Sequence, residues 1–190
     1  ILSYNGGEIT NWQTGELMYE NVLDADVLPY LYQCAKENNF AIVTYKDKYV
    51  LTEHPDDEYV LKEAILNVME TQKVDNFLEA IDFPVAKCLI VGEATRLAVL
   101  EKEMYEVLKD RMGVYRSEPY FLELVPKGID KAQSLAVLLE KIGATKEEMI
   151  AVGDGFNDLS MIKFAGLGVA MANAQEVVRQ SADYITLSNE

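Results

Sequence analysis

The sequence predicts an α/β protein built from two parts with different patterns. After Pro126, short apolar runs alternate strictly with amphipathic helical segments, an order that is typical of a parallel sheet. The residues before Pro126 instead give hairpins and helices, which predict an α+β unit with an antiparallel sheet and helices on one face. With 190 residues, 49% of them hydrophobic, the chain is long enough for one large domain or two small ones.

The first part contains two predicted hairpins, each followed by a helix. Turn residues separate the paired strands, and Asp24 is placed to cap the first helix, in which Leu28 and Leu31 share an apolar face. In chain order the predicted elements are strands 8–10 and 17–22, a helix from 24 to about 38, strands 40–45 and 49–52, a helix of about 57–71, a connection at 73–84 with a short helical turn, a strand at 86–91, a helix at 93–112, and strands 114–117 and 120–125.

The second part alternates helix and strand from Lys131 onward. Its predicted elements are helix 131–142, strand 149–152, helix 157–164, strand 167–170, helix 174–180 and strand 184–187. The shift in composition at residues 119–126 is the best candidate for a domain boundary.

Composition limits the possible partners and locations. A formal net charge of −15, with no dense run of Lys or Arg, argues against nucleic-acid or anionic-membrane partners. No signal pattern is present, and no apolar run approaches the roughly 20 residues that span a bilayer. The two cysteines, Cys34 and Cys88, fit reduced core residues, so we expect a cytoplasmic protein. The sequence leaves the oligomeric state open.

Residues 149–161, M-I-A-V-G-D-G-F-N-D-L-S-M, carry the strongest functional signal. An apolar strand ends abruptly at Gly153, and a helix opens at Asn157. Asp154 and Asp158 are therefore expected near the carboxyl end of a strand, where open α/β sheets bind their ligands. Two carboxylates and a carboxamide beside glycines suit a hard cation such as Mg²⁺ and an anionic oxygen substrate. An ordinary turn with a helix cap is the alternative, although a turn needs only one of these residues.

Several motifs resemble those of one enzyme family. G-D-G-F-N-D, with K-G-I-D-K-A upstream and G-V-A-M-A-N-A downstream, is similar to the fourth and third motifs of haloacid dehalogenase-like phosphatases, and especially of their Cof-type subfamily. The resemblance is specific from about Tyr120 onward and looser before it. It implies an incomplete Rossmann-like core at residues 1–7 and 119–190, and an α+β cap domain at residues 8–118.

The resemblance also implies a reaction and its residues. The family hydrolyses phosphate monoesters through an aspartyl-phosphate with Mg²⁺. Asp154 matches the metal-binding aspartate, Asp158 the second acid in or just behind the metal shell, and Asn157 a carboxamide that contacts the substrate. Lys131 matches the lysine that holds the nucleophile and the phosphoryl oxygens, whereas by itself it is typical of a solvated surface lysine. Asn5, at a cap–core crossing, is a further substrate-binding candidate.

Two of these assignments have competitors in the sequence. Lys127 lies four residues before Lys131, but the family pattern places its lysine at the start of the helix. Asp24 and Asp26 superficially resemble the family's first motif, aspartate-x-aspartate-glycine-threonine, yet they lack its glycine and hydroxyl residue and are better interpreted as a helix cap. The only histidine, His54, lies in a probable loop and is expected to be solvated.

The first and second family motifs do not occur in this sequence. We therefore expect the nucleophilic aspartate to lie outside these 190 residues, and the chain alone to be inactive. The leading hypothesis is a Mg²⁺-dependent phosphatase of small phosphorylated metabolites, such as sugar phosphates or phosphorylated cofactors. The alternative is a catalytically silent protein of the same fold that binds a phosphorylated ligand or partner.

Overall fold

A computed structural model describes residues 1–189, apart from the side chain of Asn5. The strands of these residues are β1 Leu2–Ser3, β2 Glu8–Thr10, β3 Leu17–Glu20, β4 Ala41–Lys46, β5 Tyr49–Thr52, β6 Glu70–Lys73, β7 Cys88–Val91, β8 Met112–Glu118, β9 Phe121–Pro126, β10 Ile150–Gly153, β11 Leu167–Ala170 and β12 Tyr184–Ile185. The α-helices are α1 Leu28–Glu37, α2 Glu58–Leu66, α3 Phe77–Ala80, α4 Ala94–Leu108, α5 Lys131–Ile142, α6 Leu159–Phe164 and α7 Glu176–Arg179.

The chain forms two compact units. Unit 1 consists of Ile1–Glu20 and Ile129–Glu190, and unit 2 of Asn21–Gly128. These limits differ from the expected ones at residues 7/8 and 118/119. The reason is strand pairing, since β2 pairs with both β1 and β3 in unit 1, whereas β9 pairs with β7 and β8 in unit 2.

Unit 1 contains the predicted parallel sheet. Strand β11 lies between β10 and β12, and Val152 is in register with Val169, which is in register with Tyr184. Helix α6 packs on this sheet through Ile162, which is buried together with Ala170 and Val178. Because the strands are parallel, their carboxyl ends lie along one edge, and that edge carries the loop after β10.

Helix α5 of unit 1 has clear start and stop signals. Asp130 Oδ1 accepts hydrogen bonds from the amides of Ala132 at 2.8 Å and Gln133 at 3.2 Å, so it is the N-cap. Gly143 follows the last turn with a φ of +70°, a left-handed conformation that glycine adopts without a Cβ penalty. These two signals fix the start of the helix, and therefore the position of Lys131 in its first turn.

Unit 2 contains a six-stranded sheet in the order β6-β5-β4-β7-β9-β8. Neighbouring strands are antiparallel except β5 and β6, which are parallel. A large buried cluster joins one sheet face, including Ile42 and Ile90, to Leu31 of α1 and Leu97 of α4. The parallel sheet of unit 1 and the mainly antiparallel sheet of unit 2 confirm the predicted α/β class.

Helices cover both faces of the unit 2 sheet, so the prediction of helices on one face is wrong. Ile42 faces α1 and α4, and alternation along β4 places Tyr45 on the opposite face. There the Tyr45 hydroxyl donates to Glu63 Oε1 of α2 at 2.5 Å. The sequence did not indicate a helix on this second face because the buried surface of α2 is narrow. It consists of Val60 and Ala64 beside the buried Glu63.

The helix predicted at residues 57–71 is too long. It ends at Leu66, and Val68 has a φ of +55° and is 94% exposed, although its spacing fits the apolar face. Strand β6 begins two residues later and pairs with β5. Its sequence, E-T-Q-K, shows no apolar alternation because an edge strand with exposed side chains needs none.

The helix predicted at residues 93–112 is also shorter in the structure. Glu93 caps α4, since its carboxylate accepts from the amides of Thr95 at 2.9 Å and Arg96 at 3.0 Å. Gly113, the residue after the expected helix end, lies inside β8, where a Cβ would come within 2.7 Å of Val125 Cγ2. The glycine therefore marks a close approach between two strands and not a helix stop.

Two expectations from composition concern single features. Both cysteines are free thiols, and burial raises the pKa of Cys88 to about 12, which keeps the thiol neutral. Among the helices of residues 1–189, none has the length and apolar character needed to cross a bilayer.

Candidate active site

The loop after β10 folds around the carboxylate of Asp158. Asp158 Oδ2 accepts hydrogen bonds from the amides of Asp154 at 3.0 Å and Gly155 at 3.1 Å. A 3-10 turn, Phe156–Asp158, brings the side chain back to these amides. A Cβ on Gly153 would lie 2.4 Å from Asp158 Cβ, so glycine at this position allows the loop to close.

Lys131 reaches the same carboxylate from the first turn of α5. Its Nζ lies 2.5 Å from Asp158 Oδ1, and the two side chains are 22% and 10% exposed. Burial by itself would raise the pKa of Asp158, but the hydrogen bonds from Lys131 and from the amides of Gly155 and Asp154 outweigh it, so that the pKa lies below its ordinary value. Asp158 is therefore a carboxylate whose two oxygens are both engaged.

Asp154 differs from Asp158 because no Lys or Arg side chain within residues 1–189 forms an ion pair with it. Its Oδ2 accepts one hydrogen bond, from Asn189 Nδ2 at 3.1 Å, and its Oδ1 has no partner within residues 1–189. The main-chain oxygen of Asp154 accepts from the amide of Gln175 at 3.2 Å, which ties the loop to the start of α7. One oxygen of a charged, partly exposed carboxylate is thus left for a ligand.

This donor set fits Mg²⁺ better than a softer metal. No group of three or more His, Cys, Asp or Glu side chains arranged to hold a metal occurs in the part of the chain that the structure describes. Mg²⁺ does not need such a cage, since it is commonly bound by one or two carboxylates and keeps waters or substrate oxygens as its other ligands. Asp154 could coordinate the cation through its Oδ1 without breaking a hydrogen bond, whereas coordination by Asp158 would displace Lys131 or a loop amide from its carboxylate.

The predicted substrate-binding residues have different environments. Asn157 is exposed on the 3-10 turn beside Gly155, so its carboxamide is available to a ligand. The side chain of Asn5 lies outside the described residues. The adjoining Gly6 is placed against α5, because its carbonyl accepts from Ser134 Oγ at 2.7 Å and a Cβ on Gly6 would lie 2.3 Å from that oxygen.

The competing candidates of the sequence have other partners, all in unit 2. Lys127 Nζ donates to the carbonyl of Asp110 at 2.8 Å. Asp26 pairs with Arg111 at 2.7 Å, and Asp24 pairs with the same guanidinium at 3.4 Å. Asp24 has the N-cap position of a 3-10 turn but makes no capping bond with its side chain. These contacts give all three residues a role in the fold of unit 2.

His54 is exposed and lies in an open cleft of unit 2. The cleft also contains Lys36 and Lys73 together with Glu53 and Asp57, so positive and negative side chains are mixed. Asp57 is used as the cap of α2, since it accepts from the amides of Tyr59 and Val60. The cleft therefore shows no clear charge preference for a ligand.

Sequence reasoning missed Asn189. It lies 35 residues after Asp154, just beyond β12, and only the order β10-β11-β12 brings the two together. A signal existed in the parallel alternation, because the residues that follow parallel strands emerge at the same edge of a sheet. Which of them reaches Asp154 depends on the register and on the path of the loops.

A family model described as haloacid dehalogenase-like hydrolase matches residues 1–190. The chain belongs to the haloacid dehalogenase-like hydrolases. A crystal structure of a haloacid dehalogenase-like hydrolase from Bacteroides thetaiotaomicron is similar over 100% of this chain and 71% of its own, with a TM-score of 0.96 and 61% identity. The predicted superfamily is thereby confirmed.

Two curated relatives of this chain are named phosphatases, which supports the predicted enzyme class. Both are named 5-amino-6-(5-phospho-D-ribitylamino)uracil phosphatase and come from Bacillus subtilis (strain 168). One is 46% identical over 92 residues, 47% of this chain and 37% of the relative, and thus less than two thirds of its length. The other is 27% identical over 193 residues, 100% of this chain and 71% of the relative.

Proposed function

We propose that this chain belongs to a Mg²⁺-dependent phosphatase that hydrolyses phosphate monoesters of small metabolites. The observation that carries the proposal is the pair of unlike carboxylates after β10: Asp158 is neutralised by Lys131, and Asp154 beside it is not. A charged lysine and an open carboxylate together suit the binding of a dianionic phosphate through a divalent cation. Family membership supports the same activity.

Each side chain has a distinct role in this proposal. Asp154 would hold Mg²⁺, which when bound would neutralise charge on the phosphoryl oxygens. Lys131 presents a fixed positive charge to the phosphoryl oxygens and the nucleophile, and Asp158 orients that lysine and holds the loop amides. Asn157 contacts the substrate through its carboxamide. Asn5 stays a prediction.

The nucleophile in this proposal is an aspartate outside these 190 residues. Its carboxylate oxygen forms a bond to phosphorus while the ester oxygen leaves with the electron pair of the P–O bond and takes up a proton. Water then attacks the acyl phosphate, which releases inorganic phosphate and restores the carboxylate. The other aspartates of unit 1 support this assignment, because Asp130 caps α5 and Asp183 Oδ2 accepts from the amide of Gly168 at 2.8 Å.

The substrate class follows from the relatives only as a proposal. A phosphorylated ribityl compound, the substrate in the relatives' name, is a phosphate monoester of a polyol, which fits sugar phosphates or phosphorylated cofactors. Membership of the Cof-type subfamily, a cytoplasmic location and the lack of nucleic-acid or membrane partners also remain predictions.

The test is hydrolysis of p-nitrophenyl phosphate by a chain that joins these residues to a preceding aspartate-bearing strand. We expect turnover with Mg²⁺ and none with excess chelator, and no turnover by the 190 residues alone. Equal turnover in chelator would exclude the metal role. Metal-dependent turnover by the 190 residues alone would place the nucleophile inside them, whereas tight binding of a phosphate ester without turnover would favour the catalytically silent alternative.

A further inference from the structure

Three segments of unit 1 meet at Asp154. The loop after β11 binds the peptide groups before and after the Asp154 side chain. The amide of Met171 donates to the Gly153 carbonyl at 3.0 Å, and the amide of Gln175 donates to the Asp154 carbonyl at 3.2 Å. The segment after β12 binds the side chain, through Asn189 Nδ2 and Asp154 Oδ2 at 3.1 Å. The backbone of Asp154 is thus fixed by one segment and its carboxylate by another.

Asn189 is itself held by the loop after β11. Its amide donates to Asn173 Oδ1 at 3.3 Å, and the Leu187 carbonyl accepts from the amide of Ala172 at 3.3 Å. Closer to the sheet, the amide of Thr186 donates to the Ala170 carbonyl at 2.9 Å. Hydrogen bonds therefore continue the pairing of β11 and β12 as far as Asn189, so its carboxamide is presented to Asp154 from a fixed backbone.

The chemistry of the donor matters as much as its position. A carboxamide donates a hydrogen bond without a net charge, so it can select one orientation of the Asp154 carboxylate and leave its negative charge intact. A lysine in the same place would compete with a divalent cation for that charge. The site separates the two tasks, because Lys131 is directed to Asp158 and Asn189 to Asp154.

We propose that Asn189 is a positioning residue that holds Asp154 Oδ2 so that Oδ1 is directed to the divalent cation. This inference rests on the metal site of the proposed function. It assigns to Asn189 no contact with the substrate. Its effect should appear in the affinity for the metal, because outer hydrogen-bond partners of metal ligands typically contribute about 10- to 100-fold.

The experiment measures Mn²⁺ binding to the 190-residue chain by the electron paramagnetic resonance signal of free Mn²⁺. We expect Asn189→Ala to weaken binding about tenfold. Asn189→Gln, which keeps the carboxamide, should recover part of the affinity. Gln13→Ala is the matched control, since it removes an exposed carboxamide of unit 1 from a hairpin turn far along the chain from Asp154. Thermal unfolding without metal should be similar for the wild type and the two Asn189 variants.

The possible failures can be told apart. If the wild-type chain binds Mn²⁺ and Asn189→Ala binds it equally well, the positioning role is excluded and the proposed metal site stands. If both Asn189 variants lose affinity and metal-free stability in parallel, Asn189 is a structural residue and the inference is overturned. If the wild-type chain binds no Mn²⁺ at millimolar concentration, or if Asp154→Ala binds as well as the wild type, the metal site fails and this inference fails with it.

Discussion

Two lysine–carboxylate pairs, one in each unit, are closely similar in geometry. In unit 1, Lys131 and Asp158 are 2.5 Å apart with side chains 22% and 10% exposed. In unit 2, Lys87 and Glu123 are 3.1 Å apart with side chains 13% and 7% exposed. Neither burial nor distance distinguishes a candidate active site from a part of the sheet.

The surroundings of the two pairs do distinguish them. Around Lys87 the neighbours complete a closed network, since Ser117 Oγ donates to Glu123 Oε1 at 2.9 Å and the Tyr45 ring lies 4.9 Å from the ammonium group. Beside Asp158, by contrast, stands Asp154, a second carboxylate with an oxygen left over. A buried ion pair alone therefore indicates structure, and an un-neutralised carboxylate beside it indicates a site for a ligand.

The largest effect should come from opening the unit 2 pair. Lys87→Ala leaves Glu123 buried without its cation, which typically costs about 3–5 kcal/mol of unfolding free energy. Urea unfolding, with hydrogen exchange of the β7 and β9 amides, measures the loss. The double variant Lys87→Met, Glu123→Leu should recover most of it, because an apolar pair of similar volume replaces the ion pair. A stable Lys87→Ala variant would contradict the closed network.

The unit 1 pair should respond in activity, because its lysine belongs to the proposed phosphoryl site. Lys131→Ala, made in the chain that is joined to an aspartate-bearing strand, removes one fixed charge from the proposed phosphoryl site, and we expect turnover of p-nitrophenyl phosphate to fall about a hundredfold. That factor corresponds to about 2.7 kcal/mol of transition-state free energy. Lys127→Ala is the control and should keep near wild-type turnover, because its ammonium binds the Asp110 carbonyl in unit 2. The opposite result would move the assignment to Lys127.

The sequence predicted those features that local chemistry determines. The β10 loop was predicted because its glycines and acids lie within a few residues, and α5 because it begins the alternation of helix and strand after Pro126. The structure adds that Asp130 caps α5. Strand β6 was missed because edge strands carry no apolar pattern. The helix predicted at 93–112 was too long because the glycine at 113 is required by a contact with Val125 on another strand and does not mark a helix end. The role of Asn189 likewise depends on topology.

Adding a side chain at Gly153, behind the loop after β10, should have a smaller effect on stability, and only in unit 1. In Gly153→Ala the new Cβ would lie 2.4 Å from Asp158 Cβ and 2.7 Å from its Cγ, so the loop must move. We expect a loss of about 1–3 kcal/mol of stability, together with weaker Mn²⁺ binding. Gly155→Ala is the comparison, because its Cβ would meet mainly Asn157 Oδ1 at 2.5 Å, the end of an exposed side chain that can rotate. Equal losses of stability in the two variants would show that the cost comes from the backbone change and not from the contact with Asp158.

The smallest effect is on the pH dependence of stability, which should differ between the two units. The pKa of Asp158 is lowered, so its contribution to stability is complete above its unfolded value of about 3.9 and is lost as the pH falls through the folded pKa. In unit 2, burial and then the Glu63 carboxylate raise the pKa of Tyr45, so its contribution is complete below about pH 10 and is lost as the pH rises through the folded pKa.

Asp158→Asn should therefore flatten only the acid side of the profile of unfolding free energy against pH, and Tyr45→Phe only the alkaline side. Urea unfolding between pH 3 and 11 measures both slopes, and an Asp158→Asn profile as steep in acid as the wild type would mean that the Lys131 pair does not persist in solution.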